Sequence, residues 1–249
     1  MDNIKLNFFI KTETMTAKEY ILFSKKIILQ LQSFDSIFNS PNVFDIEKEK
    51  SYLFNNELSD FTSKNLKKII NEEKDIAYKN SDIKNKELSE NSMSWSGFSS
   101  ILFFNSNLNI ENNPNVTLFI TQGSYEEMTS SIKIEYSQES QDKLIQDYIF
   151  KLFNELTKTV DVKFANAISS DIFRKLRQRG HYTIGWITYL KNLHIYDLLD
   201  QNIKKEKINK GTCFSLIENK PKGNDENIIE TANNIKQILS VNDFLKIQQ

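Results

Sequence analysis

With 249 residues, of which 39% are hydrophobic and 12% aromatic, and with eighteen Phe against six Gly and three Pro, the chain can bury a sizeable core. That balance excludes disordered, collagenous and low-complexity classes. Thirty-two Lys and Arg against thirty-three Asp and Glu leave a formal charge of -1, without the basic surplus of a dedicated nucleic-acid binder.

Residues 4–10 alternate Ile4, Leu6 and Phe8 against Lys5, Asn7 and Phe9, the period of a half-buried strand. Thr16 stands three residues before Glu19 as a capping box, and Tyr20, Phe23, Ile27, Ile28 and Leu31 follow at helical spacing. A helix of about sixteen to twenty residues is predicted there. Residues 36–45, with Pro41 and several Asn, read as a loop, and 51–54 as a short strand. Phe61, Leu66, Ile69, Ile70 and Ala77 predict a helix within 58–79, and the charged stretch 80–92 a mobile surface loop.

Three β-rich runs follow at 98–104, 116–121 and 130–136, where antiparallel pairing is expected. Ser137 or Ser140 is placed to cap a helix whose stripe is Leu144, Ile145, Tyr148, Ile149, Leu152, Phe153 and Leu156, with its apolar face on a sheet. Residues 160–165 predict another strand, and Ser169 or Ser170 the cap of a short helix carrying Ile172, Phe173 and Leu176. After Gly180, residues 182–190 predict a strand buried in part on both faces. A strand at 211–217, a turn at 220–224 holding Pro221 and Gly223, and a helix marked by Ile228, Ala232, Ile235 and Leu239 complete the chain.

Short turns between strands and helices at intervals predict an α+β fold: a mainly antiparallel sheet with helices packed on one face. One domain over 1–249 is the simpler organisation, and two related α+β halves, opening at 4–35 and 116–157, are the alternative. Residues 1–10 carry no basic stretch or apolar run of a secretory signal. No window approaches the roughly eighteen apolar residues of a membrane span, so a cytoplasmic protein is expected.

One cysteine, Cys213, cannot form an intramolecular disulfide, and His181 and His194 are too few for a Cys/His zinc site. Neither histidine stands in a context that supplies a nucleophile and an orienting group, and the six scattered glycines form no phosphate cradle. No catalytic residue, cofactor or metal is therefore assigned. Asp161-Val162-Lys163 has the acid-x-Lys spelling by which some nucleases hold a metal beside a proton donor. About four such pairs are expected by chance in this composition, so a metal-dependent hydrolase or nuclease is kept as an alternative.

All the arginine in the protein, Arg174, Arg177 and Arg179, falls within six positions. Arg binds carboxylates bidentately, so these are candidate partner contacts, beside the plainer reading of cations at a helix C-terminus. The acidic doublets Glu72-Glu73, Glu126-Glu127 and Asp225-Glu226 could face a basic partner, and solvated loops explain them equally. Glu126 and Glu127 are carried as candidate contacts.

The segment 182–190, Tyr-Thr-Ile-Gly-Trp-Ile-Thr-Tyr-Leu, resembles the Gly-Trp-x-x-Tyr-Leu strand of bacterial immunity proteins encoded beside polymorphic or type VI secreted toxins, closest to the immunity protein 52 family. Three further blocks agree in order: the opening strand and helix around Thr16-Ala17-Lys18-Glu19-Tyr20, the hairpin and helix at 116–157, and Gly211-Thr212-Cys213-Phe214 before a final helix. The opening departs from the family, with Asn7-Phe8-Phe9-Ile10 where an aromatic and Arg-rich stretch is usual.

The resemblance implies a non-enzymatic α+β protein that binds and neutralises a co-encoded toxin, with no direct nucleic-acid or membrane contact. Relatives of this kind are often paired with restriction-endonuclease-fold toxins. Gly185, Trp186 and Tyr189 are the motif residues that carry over. Gly beside a large indole in a strand more often marks close packing than a binding anchor, so a structural role is expected for them. A scaffold module with some other protein partner is the remaining alternative.

Overall fold

The structure is a computed structural model that describes residues 3–45, 50–70, 78–79, 88–94, 96–104, 114–124, 130–221 and 226–247. In chain order it runs through β1 (Ile4–Ile10), α1 (Ala17–Phe34), β2 (Pro41–Asp45), β3 (Lys50–Leu53), the single turn α2 (Leu66–Ile69), and the short strands β4 (Tyr78–Lys79) and β5 (Met93–Ser94). Then come β6 (Phe98–Phe104), β7 (Val116–Gln122), β8 (Ser131–Tyr136), α3 (Gln146–Thr159), β9 (Val162–Ser169) and α4 (Ser170–Leu176). The last elements are β10 (Ile187–Leu190), α5 (Ile195–Leu198), β11 (Lys204–Ile208), β12 (Gly211–Ser215) and α6 (Glu226–Ser240).

The fold is α+β, and the chain divides into two compact units, one of residues 10–137 and one of residues 1–9 with 138–249. In the unit 10–137 the main strands lie in the order β8-β7-β6-β2-β3, and β6 pairs antiparallel with β7, and β7 with β8. Phe98, Ser100, Leu102 and Phe104 of β6 and Val116, Leu118 and Ile120 of β7 are buried, while the residues between them are half-exposed. Helix α1 covers that buried face. The Tyr20 ring lies 5.5 Å from Phe98, and its hydroxyl donates to the Ile120 carbonyl at 2.8 Å.

The start of α1 shows why the capping box was readable. The Thr16 hydroxyl accepts from the Glu19 amide at 3.3 Å, and the Glu19 carboxylate accepts from the Thr16 amide at 2.8 Å. The two remaining free amides, of Ala17 and Lys18, donate to the carbonyls of Ser92 and Glu90. Residues 88–92, expected to be mobile, are thus a fixed turn with Leu88 and Ser92 buried, whereas 80–87 lie outside the described residues.

Two other expectations change in this unit. The loop predicted over 36–45 contains a 3-10 turn at Ser36–Phe38 and then β2, whose first residue is Pro41, a position where the missing amide costs no ladder bond. Of the helix predicted within 58–79, the described residues 58–70 and 78–79 hold only the turn Leu66–Ile69, and 71–77 lie outside the described residues. Asn55 and Asp60 side chains bond the nearby backbone at Ser59 and Asn55, and Asn65 donates to the Asp60 carbonyl, which holds turns in place of helix. Leu58, at φ 54°, Phe61, Leu66, Ile69 and Ile70 are still buried, and Ala77 lies outside the described residues.

In the unit 1–9 with 138–249 the strand order is β11-β12-β10-β9-β1. Strand β10 pairs antiparallel with both β9 and β12, and β11 with β12. Helix α3 packs on this sheet, with Phe153 edge-on to Phe8 at 5.0 Å. Neither Ser137 nor Ser140 occupies its N-cap, which is Ile145, because Gln138–Lys143 form a 3-10 segment first. The Gln141 amide holds that segment to β1, accepting from the Ile4 amide at 3.1 Å and donating to the Ile4 carbonyl at 3.2 Å. Ser169 caps α4 as expected, accepting from the Ile172 amide, and α6 buries Ile228, Ala232, Ile235 and Leu239.

Replacing Thr16 with Ala should lower stability by about 1 kcal/mol, read as a shift in urea midpoint at unchanged slope. A second expectation concerns alkaline pH. Burial raises the Tyr20 phenol above its ordinary value and pushes Tyr189 up to about 12. The folded chain therefore keeps protons that the unfolded chain releases near pH 10, so stability is intact below that pH and falls as pH rises toward 12. Circular dichroism melts from pH 8 to 11.5 check this, and an unchanged midpoint would contradict it.

Candidate functional site

The segment 183–190 is buried throughout, but only 187–190 join the ladder, as β10. The predicted strand 182–190 is shortened because residues 182–186 rise across the sheet and meet it with side chains and carbonyls. Gly185 sets that approach: a Cβ there would lie 2.5 Å from the Ala167 carbonyl oxygen and 3.1 Å from the Asn166 Cβ. The Gly185 amide donates to the Thr188 hydroxyl at 3.0 Å. Asn166, buried in β9, donates to the Thr183 carbonyl at 2.7 Å and accepts from the Asn7 amide at 2.9 Å.

Trp186 is fully buried, and its indole N–H donates to the Ile217 carbonyl at 2.9 Å while its own carbonyl accepts from the Leu216 amide. Tyr189 is opposite Cys213 in the register of β10 with β12. Its ring fills the space left by Gly211, where a Cβ would stand 2.6 Å from the ring and 2.3 Å from the Leu190 carbonyl oxygen. Burial is the main cause that raises the Tyr189 phenol, with the Asp161 and Cys213 charges adding to it. Neither the Trp186 nor the Tyr189 side chain is offered to solvent, and the backbone at Gly185 is packed against β9.

The segment before it is the reverse. Phe173, Arg174, Lys175, Arg177 and Arg179 are exposed around α4 and the turn that follows it. Arg174 donates to Asp171 one turn back at 3.3 Å, and Lys175 lines an open groove of about 490 Å³ between α4 and α6, with Glu226 and Glu230 on its far side. Arg177 and Arg179 make no ion pair among the described residues. Glu126 and Glu127 lie outside the described residues, as do Glu72, Glu73 and Asp225.

Of the other candidates, Asp161 is paired with Lys191, while Lys163 is exposed and its carbonyl accepts from the Lys191 amide. Thirty residues separate Asp161 from its partner, and no local pattern announces the pair. Among the described residues no group of three His, Cys, Asp or Glu side chains converges as metal ligands would. Burial pushes the Cys213 thiol well above its ordinary value, with the Glu206 charge adding, which is the environment of an unreactive thiol. His181 lies 3.1 Å by its Nδ1 from the Arg179 carbonyl, and His194 is exposed. No helix among the described residues is long and apolar enough to cross a membrane.

The supports that sequence reading missed are Asn166, Thr188 and Gly211. Asn166 did carry a signal, since it is the lone polar residue in the apolar run Phe164–Ile168, where a buried amide must have found partners.

No protein-family model matches the chain, and no curated protein matches it in sequence. Among solved structures, the Pseudomonas aeruginosa T6SS protein PA0821 aligns with 96% of this chain and 72% of its own, at 9% identity and a TM-score of 0.49.

Gly185→Ala should cost about 1–3 kcal/mol, because β9 must give way to the added methyl. Trp186→Phe should also destabilise, by the lost indole bond and the volume left empty. Both are read by circular dichroism in urea, and wild-type midpoints for both variants would remove the structural role assigned to the motif.

Proposed function

We propose that this protein is an immunity protein of the kind the sequence resembles, one that binds a cognate toxin protein and neutralises it stoichiometrically without enzymatic activity of its own. The toxin is of nuclease type, is delivered by a secretion system of the type VI kind, and is met in the cytoplasm. No cofactor enters the reading, and the contact is protein to protein.

One observation supports it above the others. Two blocks of the resemblance that lie apart in the sequence, Gly185–Leu190 and Gly211–Phe214, are ladder partners: Thr188 faces Phe214, Tyr189 faces Cys213 and Leu190 faces Thr212. Gly211 in one block makes room for Tyr189 in the other. The two blocks thus pack against each other in one unit, which supports reading them together.

The test is neutralisation. The toxin domain encoded beside this chain's gene is expressed from an inducible promoter, with and without the full chain, and growth is followed. Rescue that scales with the amount of this protein, together with a one-to-one complex on size-exclusion chromatography, is the expected outcome. Unrelieved toxicity with the folded chain present, or activity of the purified chain on nucleic acid with magnesium that Asp161→Ala abolishes, would overturn it.

A further inference from the structure

We propose that the exposed turn after α4, with Arg177 and Arg179 at its centre and Phe173 beside them, is the surface by which this chain docks on an acidic patch of its protein partner. The inference rests on the reading above and adds to it where the contact lies and what chemistry the partner presents.

Position comes first. The chain has three Arg among thirty-two basic residues, and all three fall between 174 and 179. Three residues scattered over 249 positions share a six-residue window in about one arrangement in a thousand, so the cluster needs a cause. Arg differs from Lys in its planar fork, which binds carboxylate or phosphate bidentately, and a chain of formal charge -1 lacks the basic surplus that nucleic acid calls for, which favours carboxylate.

The second step separates the cations. Arg174 is served by Asp171 within its own helix, and Lys175 faces the groove that Glu226 and Glu230 line. Arg177 and Arg179 have no such acid among the described residues, and both are exposed. Arg174 is thus paired within its own helix and Lys175 looks onto acids across a groove, while the side chains of Arg177 and Arg179 face water. Phe173, at 42% exposure, puts an apolar ring on the same short helix. A cationic pair with an aromatic neighbour has the composition of an interface centre, where Arg and aromatic residues are enriched.

The third step is rigidity. Ile172 and Leu176 anchor α4 in the core, and the chain beyond Gly180 is held by the strand-like residues near the C-terminus: the Tyr182 amide donates to the Leu245 carbonyl, and the Ile247 amide to the Gly180 carbonyl. Tyr182 stacks flat on Phe164 at 4.5 Å. With its backbone fixed on both sides, the turn loses little conformational freedom on docking.

Two experiments on the full chain test this. In the first, arginine side-chain NMR follows titration with a glutamate-rich peptide and, separately, with a short DNA duplex. Shifts at Arg177 and Arg179 exceeding those at Arg174, stronger for the peptide, are expected. Stronger binding of the duplex, or no selective shift, overturns the assignment to an acidic protein surface. In the second, the neighbouring toxin domain is titrated calorimetrically with Arg177→Glu/Arg179→Glu, with Arg177→Lys/Arg179→Lys, and with Arg174→Glu as control.

Charge reversal should weaken binding by roughly tenfold or more, the Lys pair by a few-fold, and the control by less than about twofold. The unfolding midpoints should match wild type, because neither side chain has an ion-pair partner among the described residues to lose. Wild-type affinity in the reversed variant overturns this surface and leaves neutralisation standing. Failure of the wild-type chain to bind the toxin overturns the proposed function, and the peptide titration then decides the surface alone.

Discussion

The closeness of residues 183–186 to β9 governs the unit that carries the Gly-Trp motif. At Gly185 the neighbouring carbonyl of Ala167 occupies the place where any side chain would begin. Only that approach lets Asn166 reach the Thr183 carbonyl and lets Trp186 turn its indole to Ile217. The segment then enters the ladder at Ile187 with every residue buried. Gly211 repeats the device across the next pair of strands, giving up its own side chain so that Tyr189 can be enclosed. A Cβ at either position would overlap a neighbouring carbonyl oxygen, of Ala167 or of Leu190, and that fixes both glycine positions.

Close approach of this kind has a polar cost. Carbonyls outside a ladder, such as those of Thr183, Gly185 and Ile217, need partners other than strand amides. Side chains meet them: Asn166 for Thr183, Thr188 for Gly185, and both Trp186 and Ser215 for Ile217. The buried polar residues of the unit are thus distributed where the strand geometry departs from regular pairing, and they tie the departure to a single arrangement.

Much of the fold was readable because its elements obey local periods. Strand β1, strands β6 to β8, and helices α1 and α6 bury the residues their spacing selects, apart from the half-exposed Phe23 of α1, since each presents one face to a core. Residues 58–70 bury the same apolar side chains the helical pattern picks out, yet Asn55 and Asp60 outcompete the helix for its backbone. Strand β11 went unseen because Lys204, Lys205, Glu206 and Lys207 give no apolar alternation. It is an edge strand, where lysine protects against unwanted pairing and hydrophobic pattern is not required. In the candidate site, the structural character of Gly185 and Trp186 followed from residue type. The partner of Asp161 did not, because an ion pair closed across thirty residues leaves no trace in local order.

The motif and the surface answer different questions. A buried group such as Gly185, Trp186, Tyr189 and Gly211 is constrained by its own packing, which leaves little room for other residues at those positions. It cannot touch a partner, and its replacement acts through folding. The turn after α4 is under no such constraint: its charged side chains could be any soluble residues without changing what lies beneath them. Packing therefore leaves the identity of Arg177 and Arg179 open, whereas it fixes that of Gly185 and Gly211.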